Sequence, residues 1–289
     1  MTWKTYKVVL RLCSPLHSGW RKVGNVQMTR PYVTGRMLWG AFTMRLTRDG
    51  AGNQPAADSG KYQEIGEQVK QTLAFTYFYP ALQDGDRYRV IWPWENEGNF
   101  RRLFLGSYAS TALEYPQQAA SEGSLHEVEF ISPRTMDDGQ QVYLFGYVFE
   151  QENCTLNWRS ALKRLQLGGE RGYGWGLVEL AEGTPKEVAS GRLFNGTANF
   201  NGSGERPYLS IFSGGHLLAH TKADSGLPVE GEIEPLVGRE WRSTNPSNRY
   251  AGQHVGFSSV CFVPGSKVIQ KKKFYIEPLG IWSTPPEAR

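Results

Sequence analysis

A nine-residue segment, Gly168 to Gly176, combines five glycines with one arginine and two aromatic rings. Glycine tolerates positive φ angles, and a glycine-rich run lets backbone N–H groups come close to a ligand. An arginine can pair with a phosphate, while tyrosine and tryptophan rings can stack on bases. The segment therefore indicates a nucleic-acid site; the alternative is a turn whose aromatic residues only pack. Its candidate RNA-binding residues are Gly168, Gly169, Arg171, Gly172, Tyr173, Gly174, Trp175 and Gly176.

The spacing of these glycines argues against two common nucleotide sites. A dinucleotide-binding turn runs from a strand through G-x-G-x-x-G into a helix. Here the predicted order is helix, loop, strand, and the glycines at 172, 174 and 176 have G-x-G-x-G spacing. The lysine and Ser/Thr pair of a phosphate-binding P-loop does not follow them. A nucleotide cofactor is therefore not expected.

A second segment, residues 14–35, is a long loop rich in basic and aromatic side chains, and loops of this length are usually functional. Its candidate RNA-binding residues are His17, Trp20, Arg21, Lys22 and Arg30. His17 is placed to act as a general acid or base on a ribose hydroxyl, with the cations stabilising the phosphate charge. The same residues equally form a binding site without chemistry, or a lid over one end of a sheet.

The sequence gives little indication of a metal site or of disulfide bonds. His216 and His220 have the i, i+4 spacing of a helical metal pair, but the glutamate of an HExxH motif is absent. The three cysteines lie far apart, and their odd number argues against a disulfide framework or a zinc knuckle. We therefore expect no metal and no cofactor.

The glycine segment is predicted to follow a helix with a basic exposed side. Apolar residues recur at helical spacing at Trp158, Ala161, Leu162 and Leu165. Thr155 is the predicted N-cap of this helix, and Gly168 lies where a left-handed C-cap would lie. Lys163 and Arg164 fall outside the apolar stripe, and we include them among the candidate RNA-binding residues.

The basic loop is predicted to lie between a strand, residues 5–13, and a helix, residues 36–47. Thr34 is the natural N-cap of that helix. Because a helix N-terminus attracts phosphate, we expect this end of the helix, with Arg36, to point back at the basic loop. Strand, loop and helix dipole would then converge at one place.

The order of the predicted elements indicates an α+β fold. Further strands are expected at 71–79, 87–94 and 177–180, a hairpin at 128–133 and 141–149, and an insertion around 95–124. Residues 1–181 then follow the order of a ferredoxin-like, RNA-recognition-type domain, in which two helices cover one face of an antiparallel sheet and the other face is open. Residues 182–289 predict a β-rich C-terminal portion, with strands at 208–213, 258–263 and 273–279.

Composition bounds these hypotheses without deciding between them. The chain has 289 residues, enough for a large core and about two domains. A net charge of +4 permits an anionic partner without requiring one. No apolar run has the length of a membrane span, and the N-terminus has no signal-peptide core. We expect a cytoplasmic protein that does not contact a membrane.

Three segments occur in a characteristic order along the chain. They are Pro15 to Gly19 (PLHSG) after the first strand, Tyr32 to Phe42 (YVTGRMLWGAF), and the glycine segment before the last strand of the first domain. Together they resemble the RAMP superfamily of CRISPR-associated RNA-binding proteins. The resemblance covers residues 5–47 and 127–181. It implies a ferredoxin-like RAMP domain that binds RNA through its glycine loop.

Two features narrow the resemblance to one kind of member. Backbone subunits that cleave target RNA carry an acidic residue in the loop after strand one, and residues 14–35 contain no Asp or Glu. Processing endonucleases usually carry the glycine loop near the C-terminus, whereas residues 177–289 follow it here. The subunit that caps the five-prime handle of the guide RNA in type III effector complexes has a mid-chain glycine loop and a β-rich tail. Residues 257–266 are similar to a segment of that tail.

The resemblance implies a non-catalytic subunit that binds the repeat-derived handle of a CRISPR guide RNA. It also implies docking on the large polymerase-like subunit and on backbone RAMP subunits. The residues themselves leave two alternatives open. One is a metal-independent endoribonuclease that cuts repeat RNA with His17. The other is a scaffold subunit whose aromatic and basic residues serve protein contacts.

Overall fold

The computed structural model describes residues 2–58, 60–115, 118–189, 191–224, 226–240 and 254–285. Their fold is α+β and dominated by strands. The helices are α1 (Gly35–Gly50), α2 (Gly60–Thr72), α3 (Glu97–Phe104) and α4 (Trp158–Leu162), with short 3-10 turns at Arg171–Tyr173, Phe194–Gly196 and Pro278–Gly280. Within the described ranges, no helix is long and apolar enough to cross a membrane.

Strands run through both halves of the chain. Up to residue 181 they are β1 (Trp3–Leu12), β2 (Gly19–Val23), β3 (Val26–Thr29), β4 (Leu73–Phe75), β5 (Tyr79–Asp84), β6 (Arg87–Val90), β7 (Leu105–Ser110), β8 (Leu113–Glu114), β9 (Ala119–Ala120), β10 (His126–Ile131), β11 (Val142–Gln151) and β12 (Val178–Leu180). Beyond it they are β13 (Lys186–Glu187), β14 (Arg192–Leu193), β15 (Ala198–Asn201), β16 (Tyr208–Ile211), β17 (Thr221–Lys222), β18 (Val229–Glu230), β19 (Ile233–Glu240), β20 (His254–Phe262), β21 (Lys267–Val268), β22 (Lys272–Ile276) and β23 (Trp282–Ser283). The strands expected at 5–13, 208–213, 258–263 and 273–279 are confirmed by β1, β16, β20 and β22.

The central sheet has the order β12-β1-β11-β5-β6, with β13 beside β1 and β4 beside β11. Its long pair is antiparallel, so that Val9 lies opposite Phe145 and Leu10 opposite Leu144. All four of these side chains are buried. Because side chains alternate between the faces of a strand, apolar residues at successive positions require cover on both faces.

Helices cover one face of the central sheet. Val8 and Leu10 of β1 share a core with Phe42 of α1 and Trp158 of α4. The ring of Tyr6 meets Trp158 edge to face, with 5.4 Å between ring centroids. This packing fixes α1 and α4, and therefore the loops that follow β1 and α4, against the same sheet.

The opposite face, expected to be open, is covered by the β-rich C-terminal portion. Val9, Phe145 and Phe149 share a core with Leu209 and Phe274 from that portion. The expectation of an open RNA-binding face is therefore wrong, because this face carries buried apolar side chains.

The helix α1 confirms the prediction for residues 36–47 and extends it to Gly50. Thr34 is its N-cap, with the Oγ1 atom accepting a hydrogen bond from the Met37 amide at 3.3 Å. The helix predicted from Thr155 is shorter than expected: α4 begins at Trp158 and is capped by Asn157, whose side chain accepts from the Ser160 amide. The four apolar residues of its predicted face are nonetheless buried.

Two local predictions are wrong. The strand expected at 71–79 is divided, because α2 continues to Thr72 and β4 and β5 follow separately. The predicted hairpin is present only at its turn, which the antiparallel Arg134–Gln141 bridge closes, and the strands β10 and β11 do not pair with each other. Instead, β10 pairs with β3 and β7, while β11 pairs with β1, β4 and β5. Residues 95–124 contain α3, β7, β8 and β9, and β7 supplies the antiparallel partner of β10.

Four further sheets lie within the described residues: β18-β21 and β8-β9 have two strands each, and two sheets are larger. The first of the larger sheets has the order β2-β3-β10-β7 and therefore unites the basic loop with residues around 105–110. The second has the order β14-β15-β16-β22-β23-β17-β20-β19 and forms the C-terminal portion. The loop predicted for residues 14–35 thus contains the antiparallel strands β2 and β3.

Candidate nucleic-acid interface

The glycine segment lies directly on the residues that follow β1. The Gly169 amide donates to the His17 carbonyl at 3.0 Å, and the Gly176 amide donates to the Pro15 carbonyl at 2.7 Å. The Leu177 amide donates to Ser14 Oγ at 2.9 Å. Two of the segments singled out in the sequence, residues 15–19 and 168–176, therefore form one surface.

Glycine is required at two positions in this contact. Gly168 and Gly176 have φ angles of +79° and +76°, a region that side chains rarely allow. A Cβ atom on Gly168 would lie 2.4 Å from the His17 carbonyl oxygen, and one on Gly176 would lie 1.7 Å from the Leu167 carbonyl oxygen. The close backbone approach predicted for a ligand is thus made here to the protein itself.

Three more amides of the segment are engaged within the protein. The amides of Tyr173 and Trp175 donate to the Glu170 carbonyl at 3.0 and 3.4 Å, and the Gly174 amide donates to the Arg171 carbonyl at 3.1 Å. Gln166 Nε2 donates to the carbonyls of Arg171 and Trp175 at 3.1 and 2.9 Å. This bonding fixes the shape of the loop.

The side chains of the segment point outward or towards the sheet that contains the basic loop. Tyr173 is 83% exposed. Arg171 is exposed and lies 3.0 Å from the Met44 sulfur of α1. Trp175 packs edge to face on Phe130 of β10, with 5.1 Å between centroids, and lies 6.5 Å from the Tyr108 ring of β7. A cation and several aromatic rings therefore share one rim.

Sequence reasoning missed Phe130 and Tyr108 as part of this rim. Tyr108 falls in residues 95–124, where no periodicity assigned an element, and it is exposed. Its placement depends on the pairing of β7 with β10, in which Tyr108 lies opposite Val128. The separation in sequence gives no indication of that pairing.

His17 is buried at the base of the same surface. Its Nδ1 atom lies 2.7 Å from the Glu129 carbonyl oxygen. A carbonyl can only accept, so Nδ1 carries the proton and donates. Cβ atoms placed on Gly169 and Gly19 would lie 3.1 and 3.4 Å from the ring, which shows that backbone covers it on two sides.

The strand β2 carries the exposed part of the basic loop. All five of its residues are exposed, and Trp20, Arg21 and Lys22 are among them. The Arg21 guanidinium lies 4.0 Å from the centroid of the Trp20 ring. Trp20 Nε1 donates to Glu234 Oε2 of β19 at 2.9 Å, so the tryptophan is tied to the C-terminal portion.

Arg30 enters a buried polar network instead of the exposed rim. Its guanidinium donates to Glu234 Oε1 at 2.6 Å. His220 Nε2 lies 2.6 Å from the same oxygen, and Tyr77 Oη lies 2.8 Å from His220 Nδ1. A neutral His220 satisfies both contacts when Nε2 donates to the carboxylate and Nδ1 accepts from the tyrosine.

The network shifts the pKa values of its members. Burial would raise the pKa of Glu234, but hydrogen bonds from His220, Arg30 and Trp20 and the charge of Arg30 hold it at about 2. Burial lowers the pKa of His220, although its hydrogen bond to Glu234 opposes this effect. Burial likewise raises the pKa of Tyr32 to about 12. The carboxylate and the arginine therefore stay charged and the histidine stays neutral at pH 7.

The remaining candidate cations lie apart from Arg30. Arg164 pairs with Asp49 of α1 at 2.9 Å, so it lies along the same helix as Met44, the contact of Arg171. Lys163 is exposed at the end of α4. The Arg36 guanidinium lies against Gly238 of β19, where a Cβ atom would be 2.7 Å from its Cζ.

The start of α1 also faces the C-terminal portion. A Cβ atom on Gly35 would lie 2.6 Å from the Leu279 carbonyl oxygen, so the 3-10 turn Pro278–Gly280 packs on the helix N-terminus. The expected convergence of the helix start with the basic loop is therefore replaced by packing against residues from the chain's second half.

In the ranges that the structure describes, no group of three or more His, Cys, Asp or Glu side chains could hold a metal ion.

No protein-family model and no curated protein matches the sequence. In structure, the chain is similar to a chain of the type III-B Cmr-β complex bound to cognate target RNA and AMPPnP, with a TM-score of 0.49 and 11% identity over 91% of this chain and 85% of that chain. A chain of the same complex bound to cognate target RNA gives a TM-score of 0.39 and 10% identity over 61% of this chain and 96% of that chain. A chain of the apo Cmr-β complex gives a TM-score of 0.39 and 10% identity over 64% of this chain and 97% of that chain. Similarity at this level assigns neither a fold family nor a function to the chain.

Proposed function

We propose that this chain is a non-catalytic RNA-binding subunit of a type III CRISPR effector ribonucleoprotein, where it holds the repeat-derived five-prime handle of the guide RNA. Its proposed neighbours are the large polymerase-like subunit and the backbone RAMP subunits. The proposal starts from the resemblance carried by residues 15–19, 32–42 and 168–176. It is supported by the contact between the first and third of these segments.

We also propose that residues 1–181 form a ferredoxin-like RAMP domain and that residues 182–289 form a β-rich domain packed on it. The order β12-β1-β11-β5 supports the first proposal. In a ferredoxin-like sheet, the last strand lies beside the first, and the third lies between the first and the second. The shared core on the second face of the central sheet supports the close packing of the two portions.

The observation that carries the binding proposal is the division of roles within the glycine segment. Its glycines and amides hold it on Pro15 and His17, while Tyr173 and Arg171 extend into solvent. Trp175 continues the aromatic surface onto Phe130. Bases stack on such rings regardless of their sequence, and an exposed arginine can pair with the intervening phosphates.

The burial of His17 favours a structural role over catalysis. A general base has to reach the ribose hydroxyl directly or through one water. The His17 ring is buried, its Nδ1 atom is bonded to the Glu129 carbonyl, and Gly169 and Gly19 lie over it. The histidine therefore joins the glycine segment to β10 and supports the rim from below.

Two matched pairs of variants test the binding proposal. Tyr173→Ala removes an 83% exposed ring from the rim, and Tyr115→Ala removes a 79% exposed ring from the turn after β8. Stacking is worth about 1–3 kcal/mol per base, so Tyr173→Ala should weaken binding to repeat RNA about 5- to 150-fold. Arg171→Ala should also weaken it, with the exposed Arg87 of β6 as the control. Fluorescence anisotropy with end-labelled repeat RNA in chelator measures each affinity.

Unchanged affinity in both Tyr173→Ala and Arg171→Ala would contradict the proposal and leave the segment a structural turn. His17→Asn tests the endonuclease separately, since asparagine can still donate to the Glu129 carbonyl but cannot transfer a proton. If the protein only binds RNA, the RNA should stay intact with both the parent protein and His17→Asn. RNA shortening by the parent protein that disappears in His17→Asn would establish catalysis instead.

A further inference from the structure

The strands β16 and β22 lie side by side in the C-terminal sheet and present one apolar face and one mixed face. In their antiparallel register, Leu209 lies opposite Phe274, and both are buried. The neighbouring pairs place Tyr208 opposite Tyr275 and Ser210 opposite Lys273. Because side chains alternate along a strand, these four residues belong to the face turned away from the central sheet.

The mixed face extends one pair beyond one end of the two strands. Continuing the register places Phe212 beside Lys271, and the Lys271 ammonium lies 5.3 Å from the Phe212 ring centroid. The Lys273 ammonium lies 5.3 Å from the ring of Tyr208, which itself meets Tyr275 edge to face at 6.2 Å. Two lysines of the β22 side therefore lie over aromatic rings of the β16 side.

The face is basic because its nearby carboxylate is neutralised. Glu277 lies just after β22 on the same side, where it pairs with Arg206 and accepts from Ser283 Oγ at 2.6 Å. Lys271 and Lys273 are exposed. The exposed Arg192 of β14 continues the basic side across the sheet, since it lies opposite Asn199, which in turn lies opposite Ser210.

We propose that this outer face of β14, β15, β16 and β22 is a second binding surface, and that its ligand is single-stranded RNA. Residues two apart on a strand are separated by about 6.6 Å, close to the distance between neighbouring phosphates of an extended single strand. Lys273 of β22 and Lys271, directly before that strand, are two residues apart. Phe212, 44% exposed, supplies a stacking platform beside Lys271, as single-strand binding surfaces do.

This inference does not depend on the proposed function of the glycine segment. The outer face belongs to the C-terminal sheet, whereas the rim of Arg171 and Tyr173 belongs to the loop before β12. The two surfaces can therefore be removed one at a time. A long guide or target strand could contact both, and short strands would report on each surface separately.

The test is the salt dependence of binding to an unstructured, end-labelled oligouridine, measured by anisotropy for the full chain and for Lys271→Ala/Lys273→Ala. Loss of two phosphate contacts should make the slope of log affinity against log salt shallower by about 1.4. That corresponds to an affinity about 25-fold weaker at 0.1 M salt, with the difference disappearing towards 1 M. Phe212→Ala should weaken binding about 5-fold or more at every salt concentration.

Lys271→Arg/Lys273→Arg should restore the slope, and Lys70→Ala, which removes a lysine that lies over the Trp39 ring of another surface, should leave it unchanged. The Arg171→Ala protein separates the two surfaces, because the lysine pair should have the same effect in that background. The proposal is overturned if the parent protein does not bind the oligonucleotide, or if the lysine pair alters neither affinity nor slope. An effect of the lysine pair, together with unchanged affinity for repeat RNA in both Tyr173→Ala and Arg171→Ala, would instead remove the proposed function and leave the second surface.

Discussion

Replacing Glu234 with Gln is expected to destabilise the junction between β19 and the basic loop. The carboxylate accepts hydrogen bonds from Arg30 at 2.6 Å, from His220 at 2.6 Å and from Trp20 at 2.9 Å. Side-chain exposure is 12% for Arg30 and 17% for Glu234, so this ion pair is largely removed from solvent. Glutamine keeps the shape of the side chain and leaves the arginine without its counter-charge.

Two estimates set the expected size of the effect. The pKa of Glu234 is about 2 instead of its ordinary 4.5, a difference worth about 3 kcal/mol. Partial solvent screening reduces this to about 2 kcal/mol. Breaking a buried pair on one side costs about 3–5 kcal/mol, because the remaining charge stays buried. We therefore expect Glu234→Gln to lower the free energy of unfolding by about 2–4 kcal/mol. The stabilisation from the charged carboxylate is present above pH 4.5 and is lost as pH falls towards 2.

Urea denaturation followed by tryptophan fluorescence measures this change. The matched control is Glu179→Gln, which removes the carboxylate from an Arg11–Glu179 pair of similar length, 2.5 Å, whose side chains are 45% and 63% exposed. The control should leave the unfolding midpoint unchanged within error, because exposed pairs contribute little. If Glu234→Gln has no larger effect than Glu179→Gln, burial does not strengthen this network and the reasoning is refuted.

Three further outcomes are expected. Burial lowers the pKa of His220, so the folded protein binds fewer protons at this side chain than the unfolded chain does. The urea midpoint should therefore fall as pH drops below 6.5. This fall should be smaller in His220→Gln. Gly176→Ala should destabilise the protein by at least about 2 kcal/mol because of its φ of +76° and a 1.7 Å backbone clash, whereas Gly172→Ala, which meets nothing within 4 Å, should leave the thermal midpoint near that of the parent. Thr34→Ala should cost about 1 kcal/mol in urea denaturation through loss of the α1 cap, and Thr34→Ser should recover most of it.

Local patterns in the sequence predicted the elements whose structure depends on neighbouring residues. The first strand, the helix α1 with its Thr34 cap, and the apolar face of α4 follow from period-two or helical spacing, and all three are present. Where two caps compete within three residues, as Thr155 and Asn157 do, spacing alone does not choose between them. The structure places the cap at Asn157 because the apolar face begins at Trp158.

Contacts between distant parts of the chain could not be predicted in this way. The strand β10 follows the hydrophobic pattern of a hairpin arm, but its partners are β3 and β7, which lie in different parts of the sequence. From the sequence, Arg30 is predicted to bind phosphate. In the structure it donates a hydrogen bond to Glu234 of β19 instead. A basic loop therefore predicts a binding site only after the carboxylates of the folded chain have been located.

The glycine segment has a fixed backbone shape and also presents two exposed side chains. Five of its amides are bonded within the protein, and one of them, that of Gly176, closes the loop on Pro15, so the loop has its shape before any ligand arrives. A preformed loop loses little conformational entropy on binding, which leaves more of the interaction energy of Arg171 and Tyr173 for affinity. Substitutions at Gly176 should therefore change stability, and substitutions at the two exposed side chains should change RNA affinity at unchanged stability. Such a separation of effects is not expected of a flexible loop that becomes ordered only on RNA, where both classes of substitution would alter affinity together.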